Sequence, residues 1–132
     1  MTIRVRQTSA SASEAAIRDH RVAVDRPADK GGTDAGPMGG ELFLAAVGGC
    51  FMSNLLAAIK AQQARISDLQ TTVEGSIEGS PPRFSRVELC IAADCADGGL
   101  LEKLVEIADR GCVMMNTFRG RLDVKVRIAT QA

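Results

Sequence analysis

The chain has 132 residues, a length typical of one domain, so we predict a single domain over residues 1–132. Sixteen basic residues balance sixteen acidic ones, and the chain has four Phe but no Trp or Tyr. A neutral chain lacks the positive electrostatic field that attracts phosphate backbones and anionic membranes. A chain with few aromatic side chains also offers few surfaces on which bases can stack. We therefore expect no nucleic-acid partner and no membrane partner.

The N-terminal part of the chain predicts strands followed by a loop. Residues 1–6 alternate charged and apolar side chains without a hydrophobic run of the signal-peptide type, so we expect a cytoplasmic protein. Residues 2–7 and about 14–24 predict strands, because Ile and Val alternate there with polar neighbours. The Pro- and Gly-rich segment 26–40, RPADKGGTDAGPMGG, predicts a loop.

A long apolar helix is predicted from about residue 41 to residue 64. Residues 42–59 contain no charged side chain, which reaches the lower length limit for a membrane span. We favour a protein environment, because the stretch includes two glycines, a serine and an asparagine and the other predicted elements are amphipathic. One layer of so small a domain cannot surround such a helix, so we predict that a second subunit covers it in a homodimer.

The second half of the chain predicts a strand pair, a helix and a final strand. Alternating apolar residues indicate strands near 69–78 and 87–91. Asp97 is a predicted N-cap for an amphipathic helix over 98–109, and a short segment then leads to a last strand over 122–128. The order β-β-α-β-β-α-β predicts an α+β fold, with mainly antiparallel strands packed around the central helix.

The four cysteines, Cys50, Cys90, Cys95 and Cys112, do not form the pattern of a metal site. They include no CxxC pair, and the single histidine, His20, is distant from all of them in the sequence. In the cytoplasm they are expected to be reduced. These cysteines are therefore either reactive thiols or residues without a chemical role.

Two segments resemble the OsmC/Ohr family. The first is GGTDAGPMGGELFLAAVGGC, residues 31–50, and the second is DRGCVMMNTFRGRLDVKV, residues 109–126. Both stand at the separation found in the family, and the element order also fits, so the resemblance covers nearly the whole chain. It implies an OsmC-like α+β fold in which antiparallel sheets pack around a long central helix in an intertwined homodimer.

The resemblance also implies the reduction of organic hydroperoxides by two cysteines, without a metal or other cofactor. By residue match, Cys50 is the attacking thiol and Cys112 the resolving thiol, and an external dithiol reductant resets the pair. Val113 follows the second cysteine where family members commonly have Pro. Cys90 and Cys95 match no motif of the family.

A reactive thiol needs nearby positive charge, and the Ohr branch supplies it with an arginine from the N-terminal strands and a glutamate near the start of the helix. Glu41 matches that glutamate. Nine residues at 100° each place it on the helix face opposite Cys50, where it holds an arginine, faces the partner subunit, or acts only as a first-turn acid. Arg18 is the nearest match to the arginine, followed by Arg21 and Arg26, and each of the three also fits a solvated charge.

Two further functions remain open from the sequence. A cysteine inside an apolar helix is commonly an inert core residue, and no arginine aligns cleanly with the activating one. These points favour a non-catalytic OsmC-fold dimer that binds a small apolar ligand or a partner. A redox sensor, which forms the disulfide without turnover, is the other alternative.

Overall fold

The computed structural model describes residues 1–129, and its α+β architecture confirms the predicted fold class. The described chain separates into two compact units, Met1–Phe43 and Leu44 onward. The first unit contains an antiparallel sheet in the order β1-β2-β3, followed by one 3-10 turn at Ala28–Lys30. Its strands are β1 (Arg4–Gln7), β2 (Ser13–Ile17) and β3 (His20–Val24).

The single strand predicted over residues 14–24 is wrong, because this segment is a two-stranded hairpin. Ile17 of β2 pairs with His20 of β3, so Arg18 and Asp19 form the turn. Arg18 has a φ of 52°, in the left-handed region that residues other than glycine rarely adopt. The sequence carries no Gly or Asn at this turn, which is why the prediction missed it.

Asp25 organises the loop that precedes the long helix. Its Oδ1 accepts a hydrogen bond from the Arg26 N–H at 2.7 Å, and its Oδ2 accepts from the Thr33 hydroxyl at 2.7 Å, the Thr33 N–H at 3.0 Å and the Ala35 N–H at 3.1 Å. The hydroxyl of Thr33 is the main cause that holds the pKa of Asp25 far below its usual range, burial opposes this, and the backbone donors add to it. Gly32 is required for the same turn, because a Cβ there would lie 1.9 Å from the Arg26 carbonyl oxygen.

The long helix α1 (Gly39–Ala61) has 23 residues and begins in the first unit. Its most apolar window has a mean hydropathy of 2.0, and among residues 1–129 it alone is long and apolar enough to cross a membrane by length and composition. Core helices of soluble proteins meet the same criteria. Only 22% of that window is fully buried by the chain itself, so much of the apolar helix is only partly covered within one copy of the protein.

The second unit contains a three-stranded sheet in the order β4-β5-β6. Strands β4 and β5 pair antiparallel, with Val73 opposite Leu89, whereas β5 and β6 pair parallel, with Leu89 opposite Val126. The parallel pair follows from the two helices that cross between these strands. The elements are β4 (Ser67–Glu78), β5 (Arg83–Asp94), α2 (Gly98–Gly111), α3 (Val113–Phe118) and β6 (Asp123–Ile128).

The core of the second unit lies between the sheet and the apolar stripes of α1 and α2. The predicted N-cap is confirmed, since Oδ1 of Asp97 accepts from the Leu100 N–H at 3.1 Å. Gly48 lets α1 approach the sheet closely, because a Cβ at this position would lie 2.7 Å from Cγ2 of Val73. The buried residues of the three elements are Val47, Phe51 and Leu55 of α1, Val87, Leu89 and Ile91 of β5, and Leu101, Leu104, Val105 and Ala108 of α2.

Asp25→Asn is expected to destabilise the protein at neutral pH and to reduce its sensitivity to acid. Because the pKa of Asp25 is depressed in the fold, its contribution is present above the unfolded value of about 3.9 and is lost as the pH falls below it. Between about pH 5 and pH 3, the free energy of unfolding measured in urea should fall more steeply for the native chain than for the variant. Asp29→Asn, an exposed change in the same loop, is the control. Parallel pH profiles for the native chain and Asp25→Asn would contradict this account.

Candidate active site

The structure brings the sulfurs of Cys50 and Cys112 into contact. The Cys112 thiol donates to the Cys50 sulfur over an Sγ–Sγ distance of 3.3 Å, although the two residues are 62 positions apart in the chain. A disulfide bond measures about 2.05 Å, so the sulfurs need to approach by little more than roughly 1 Å to be joined. All four cysteines are free of disulfide bonds.

The break between α2 and α3 places Cys112 against α1. Helix α2 ends at Gly111, Cys112 has extended backbone angles, and α3 begins with the next residue. The Cys112 N–H bonds to the Asp109 carbonyl at 3.3 Å, and its carbonyl accepts from the Asn116 N–H at 3.0 Å, which holds this single residue between two helices. Cys112 is 0% exposed, whereas Cys50 is half-buried.

The surroundings of the two thiols shift their acidities in opposite directions. Burial alone raises the pKa of Cys50, but the Met114 N–H, the Cys112 thiol and the Val113 N–H donate to its sulfur and together lower that pKa below the ordinary value of a cysteine. Burial is the main cause that raises the pKa of Cys112, and its bond to the negative Cys50 sulfur adds to the rise. Of the two thiols, Cys50 is therefore the one that loses its proton more readily.

Two of the donors to the Cys50 sulfur are backbone N–H groups of the second unit. They belong to Val113 and Met114 at the start of α3, the helix that begins directly after Cys112. Every residue except proline has a backbone N–H, so residue identity gave no signal for them. The Val113 donor also depends on the absence of the proline that family members commonly have there.

Asn54 is a further polar group at this site, and the sequence analysis did not assign it a role. It lies one helical turn after Cys50 on the same face of α1. Its Nδ2 donates to the Cys50 carbonyl at 3.0 Å and lies 4.0 Å from the Cys50 sulfur.

Glu41 and Arg18 both lie in the first unit. Oε1 of Glu41 accepts from the Met38 N–H at 2.9 Å, so this side chain caps the start of α1, as expected of a first-turn acid. Arg18 is exposed in the β2–β3 turn, and its carbonyl accepts from the Arg21 guanidinium at 3.3 Å. Their predicted roles in activating Cys50 stay predictions.

The other two cysteines lie away from this pair. Cys90 is on the face of β5 opposite Leu89, and its sulfur accepts from NH1 of Arg127 at 2.7 Å. The buried Cys95 donates to the Asp97 carbonyl at 3.1 Å near the start of α2. Over residues 1–129, no group of three His, Cys, Asp or Glu side chains is arranged to hold a metal ion.

Cys112→Ala is expected to raise the midpoint pH for alkylation of Cys50, because it removes a donor from the thiolate. A rise of roughly one to two pH units corresponds to the loss of one hydrogen bond to a charged group. Cys112→Ser retains a donor and should shift the midpoint less, and Cys95→Ala should not shift it. The rate of iodoacetamide addition, followed on the Cys50 peptide by mass spectrometry, measures this. If the midpoint in all three variants equals that of the native chain, Cys112 does not stabilise the thiolate.

Comparison with known proteins places these residues in a family. The model of the OsmC-like protein family matches residues 31–127, and no curated protein matches the chain. An OsmC-like protein from Mycoplasma pneumoniae has a similar structure, with a TM-score of 0.86 at 17% identity over 97% of this chain and 94% of that one.

Two structures with functional names are also similar. An organic hydroperoxide resistance protein from Legionella pneumophila has a TM-score of 0.78 at 23% identity, covering 98% of both chains. One from Elizabethkingia anophelis has a TM-score of 0.78 at 23% identity, covering 99% of this chain and 97% of that one. At these identities the structures show a shared fold. Because the family model spans most of the chain and includes both Cys50 and Cys112, the protein belongs to the OsmC-like protein family.

Proposed function

We propose that this protein is a thiol peroxidase that reduces organic hydroperoxides, with Cys50 as the attacking thiol and Cys112 as the resolving thiol. The observation that carries the proposal is the 3.3 Å contact between the two sulfurs, in which Cys112 is the donor. The opposite pKa shifts of the pair support the same assignment of roles. Family membership and the names of the Legionella and Elizabethkingia proteins favour an organic hydroperoxide as the substrate.

The first step uses the Cys50 thiolate as the nucleophile. Its sulfur attacks the terminal oxygen of the hydroperoxide, the O–O bond breaks, and the leaving alkoxide takes a proton to become an alcohol. Cys50 is oxidised to a sulfenic acid and the peroxide is reduced. The donors on the Cys50 sulfur lower its pKa and so favour the thiolate that attacks.

The second step joins the two cysteines. The Cys112 thiol loses its proton, its sulfur bonds to the Cys50 sulfur, and the hydroxyl of the sulfenic acid leaves as water. An external dithiol then reduces the disulfide by thiol exchange and is itself oxidised to a disulfide. The cycle needs no metal or other cofactor, because the dithiol supplies both electrons. A cytoplasmic location, where dithiol reductants act, stays a prediction.

Apolar side chains around the pair favour a substrate with an alkyl group. Val113, directly after Cys112, is 72% exposed, and Met114 beside it is half-buried. An alkyl hydroperoxide gains contact with such surfaces, whereas hydrogen peroxide does not.

A redox sensor is the second candidate function. The groups that hydrogen-bond to the Cys50 sulfur in the described part of the chain are amides and a thiol rather than a guanidinium. Weaker activation of the thiolate favours slow oxidation to the disulfide without sustained turnover. Steady-state consumption of peroxide distinguishes the two functions.

Cys50→Ser is expected to abolish consumption of cumene hydroperoxide in the presence of dithiothreitol, because the nucleophile is lost. Cys112→Ser, treated with the peroxide in the absence of a dithiol, should permit about one turnover and then accumulate over-oxidised Cys50, since no thiol is present to resolve the sulfenic acid. Cys90→Ser is the control and should retain activity. Equal activity in the Cys50 and Cys112 variants would exclude the assignment.

We also propose that the protein is a homodimer in which a second copy covers α1. Val47, Phe51 and Leu55 form the buried stripe of this helix. The opposite side of the helix carries small residues at every fourth position, and all of them are exposed. These residues are Ala45, Gly49, Ser53 and Ala57. Small side chains at this spacing permit another helix to approach closely, and the 52% exposure of Leu56 adds apolar surface beside them.

Ala57→Arg is expected to weaken the dimer at least roughly 100-fold, because it places a charge in the proposed interface. Sedimentation equilibrium of the native chain and the variant measures the change in dissociation constant. Ile107→Arg, at a position 51% exposed on α2, is the control and should leave the dimer intact. A native chain that sediments as a monomer would contradict the proposal.

A further inference from the structure

Asn54 is an unusual residue for its position in α1. It lies within the uncharged part of an apolar helix and is half-buried. Asparagine is a poor helix former, and a buried amide is unfavourable unless it is hydrogen-bonded. The hydrogen bonds that this side chain makes therefore indicate what it does.

The amide nitrogen of Asn54 is directed to Cys50. Its bond to the Cys50 carbonyl, at 3.0 Å, fixes the orientation of the amide plane. In this orientation the same nitrogen lies 4.0 Å from the Cys50 sulfur, a long contact that is still within range for a sulfur acceptor. An N–H donor here stabilises a negative sulfur more than a neutral one.

The amide oxygen of Asn54 faces the segment that carries the second sulfur. A Cβ added at Gly111 would lie 3.6 Å from Oδ1 of Asn54, which is ordinary contact. Gly111 immediately precedes Cys112 and is the last residue of α2. One side chain thus contacts Cys50 and lies near the residue that precedes Cys112.

We propose that Asn54 is a positioning residue of the peroxidase site, which holds the Cys50 sulfur beside Cys112 and supplies a donor to it. This inference deepens the proposed function and rests on it for its catalytic meaning. The amide does not exchange atoms with the peroxide. It acts through Cys50, by favouring the thiolate and by keeping the α1 side of the pair in place while the sulfurs approach.

The test is the pH dependence of Cys50 alkylation by iodoacetamide, followed on the Cys50 peptide in the intact protein. Asn54→Leu, which has a similar size and no donor, should raise the midpoint by about half a unit, so that alkylation at pH 7 slows about threefold. Asn54→Asp should raise it further, because a carboxylate beside the sulfur opposes the thiolate. Asn54→Gln, which keeps the amide, should lie closest to the native chain.

Asn116→Leu is the matched control. Asn116 also donates its amide to a backbone carbonyl, that of Arg110 at 2.9 Å, but it is exposed and lies on α3. A midpoint unchanged in Asn54→Leu, or shifted equally in Asn116→Leu, would overturn the inference. Alkylation requires no peroxide turnover, so a shifted midpoint in a chain without peroxidase activity would refute the proposed function while supporting the role of Asn54.

Discussion

The contact between the Cys50 and Cys112 sulfurs depends on how closely α1 approaches the rest of the second unit. Gly48 lies against Val73 of the sheet, where a Cβ would be only 2.7 Å from the valine methyl group. The buried stripe of α1 begins at Val47 and continues through Phe51, so packing on both sides of Cys50 determines its position. A larger residue at position 48 would move the helix, and the 3.3 Å contact between the sulfurs would be lost with it.

The chemistry of the pair follows from the break between α2 and α3. An uninterrupted helix would bond the N–H groups of Val113 and Met114 to carbonyls one turn earlier. Because the chain is extended at Cys112, these groups are available to the Cys50 sulfur instead. The same break aims the Cys112 thiol at Cys50, so one local change of backbone direction supplies both the backbone donors to the Cys50 sulfur and the thiol that contacts it.

The exposed side of α1 is an apolar surface in addition to the one that packs in the core. Its buried stripe serves the core of the second unit, while the small residues from Ala45 to Ala57 have no cover within one copy. Apolar surface of this extent is unfavourable in water. A second subunit would cover this surface. The helix that carries Cys50 would then also form the interface between the two subunits.

The sequence by itself determined the elements and the identity of the two thiols. Alternation and helical periodicity predicted most strands and helices, and Asp97 marked the start of α2, because these signals depend on residues close together in the chain. The turn at Arg18 was missed, since its backbone angle is one that arginine rarely adopts and no residue type announced it. Only the tertiary structure decided that the thiols touch, that backbone N–H groups donate to Cys50, and that Asn54 lies beside Cys50. Contacts over 62 positions and donors that nearly every residue has are set by the packing of the chain, and residue identity carries no record of them.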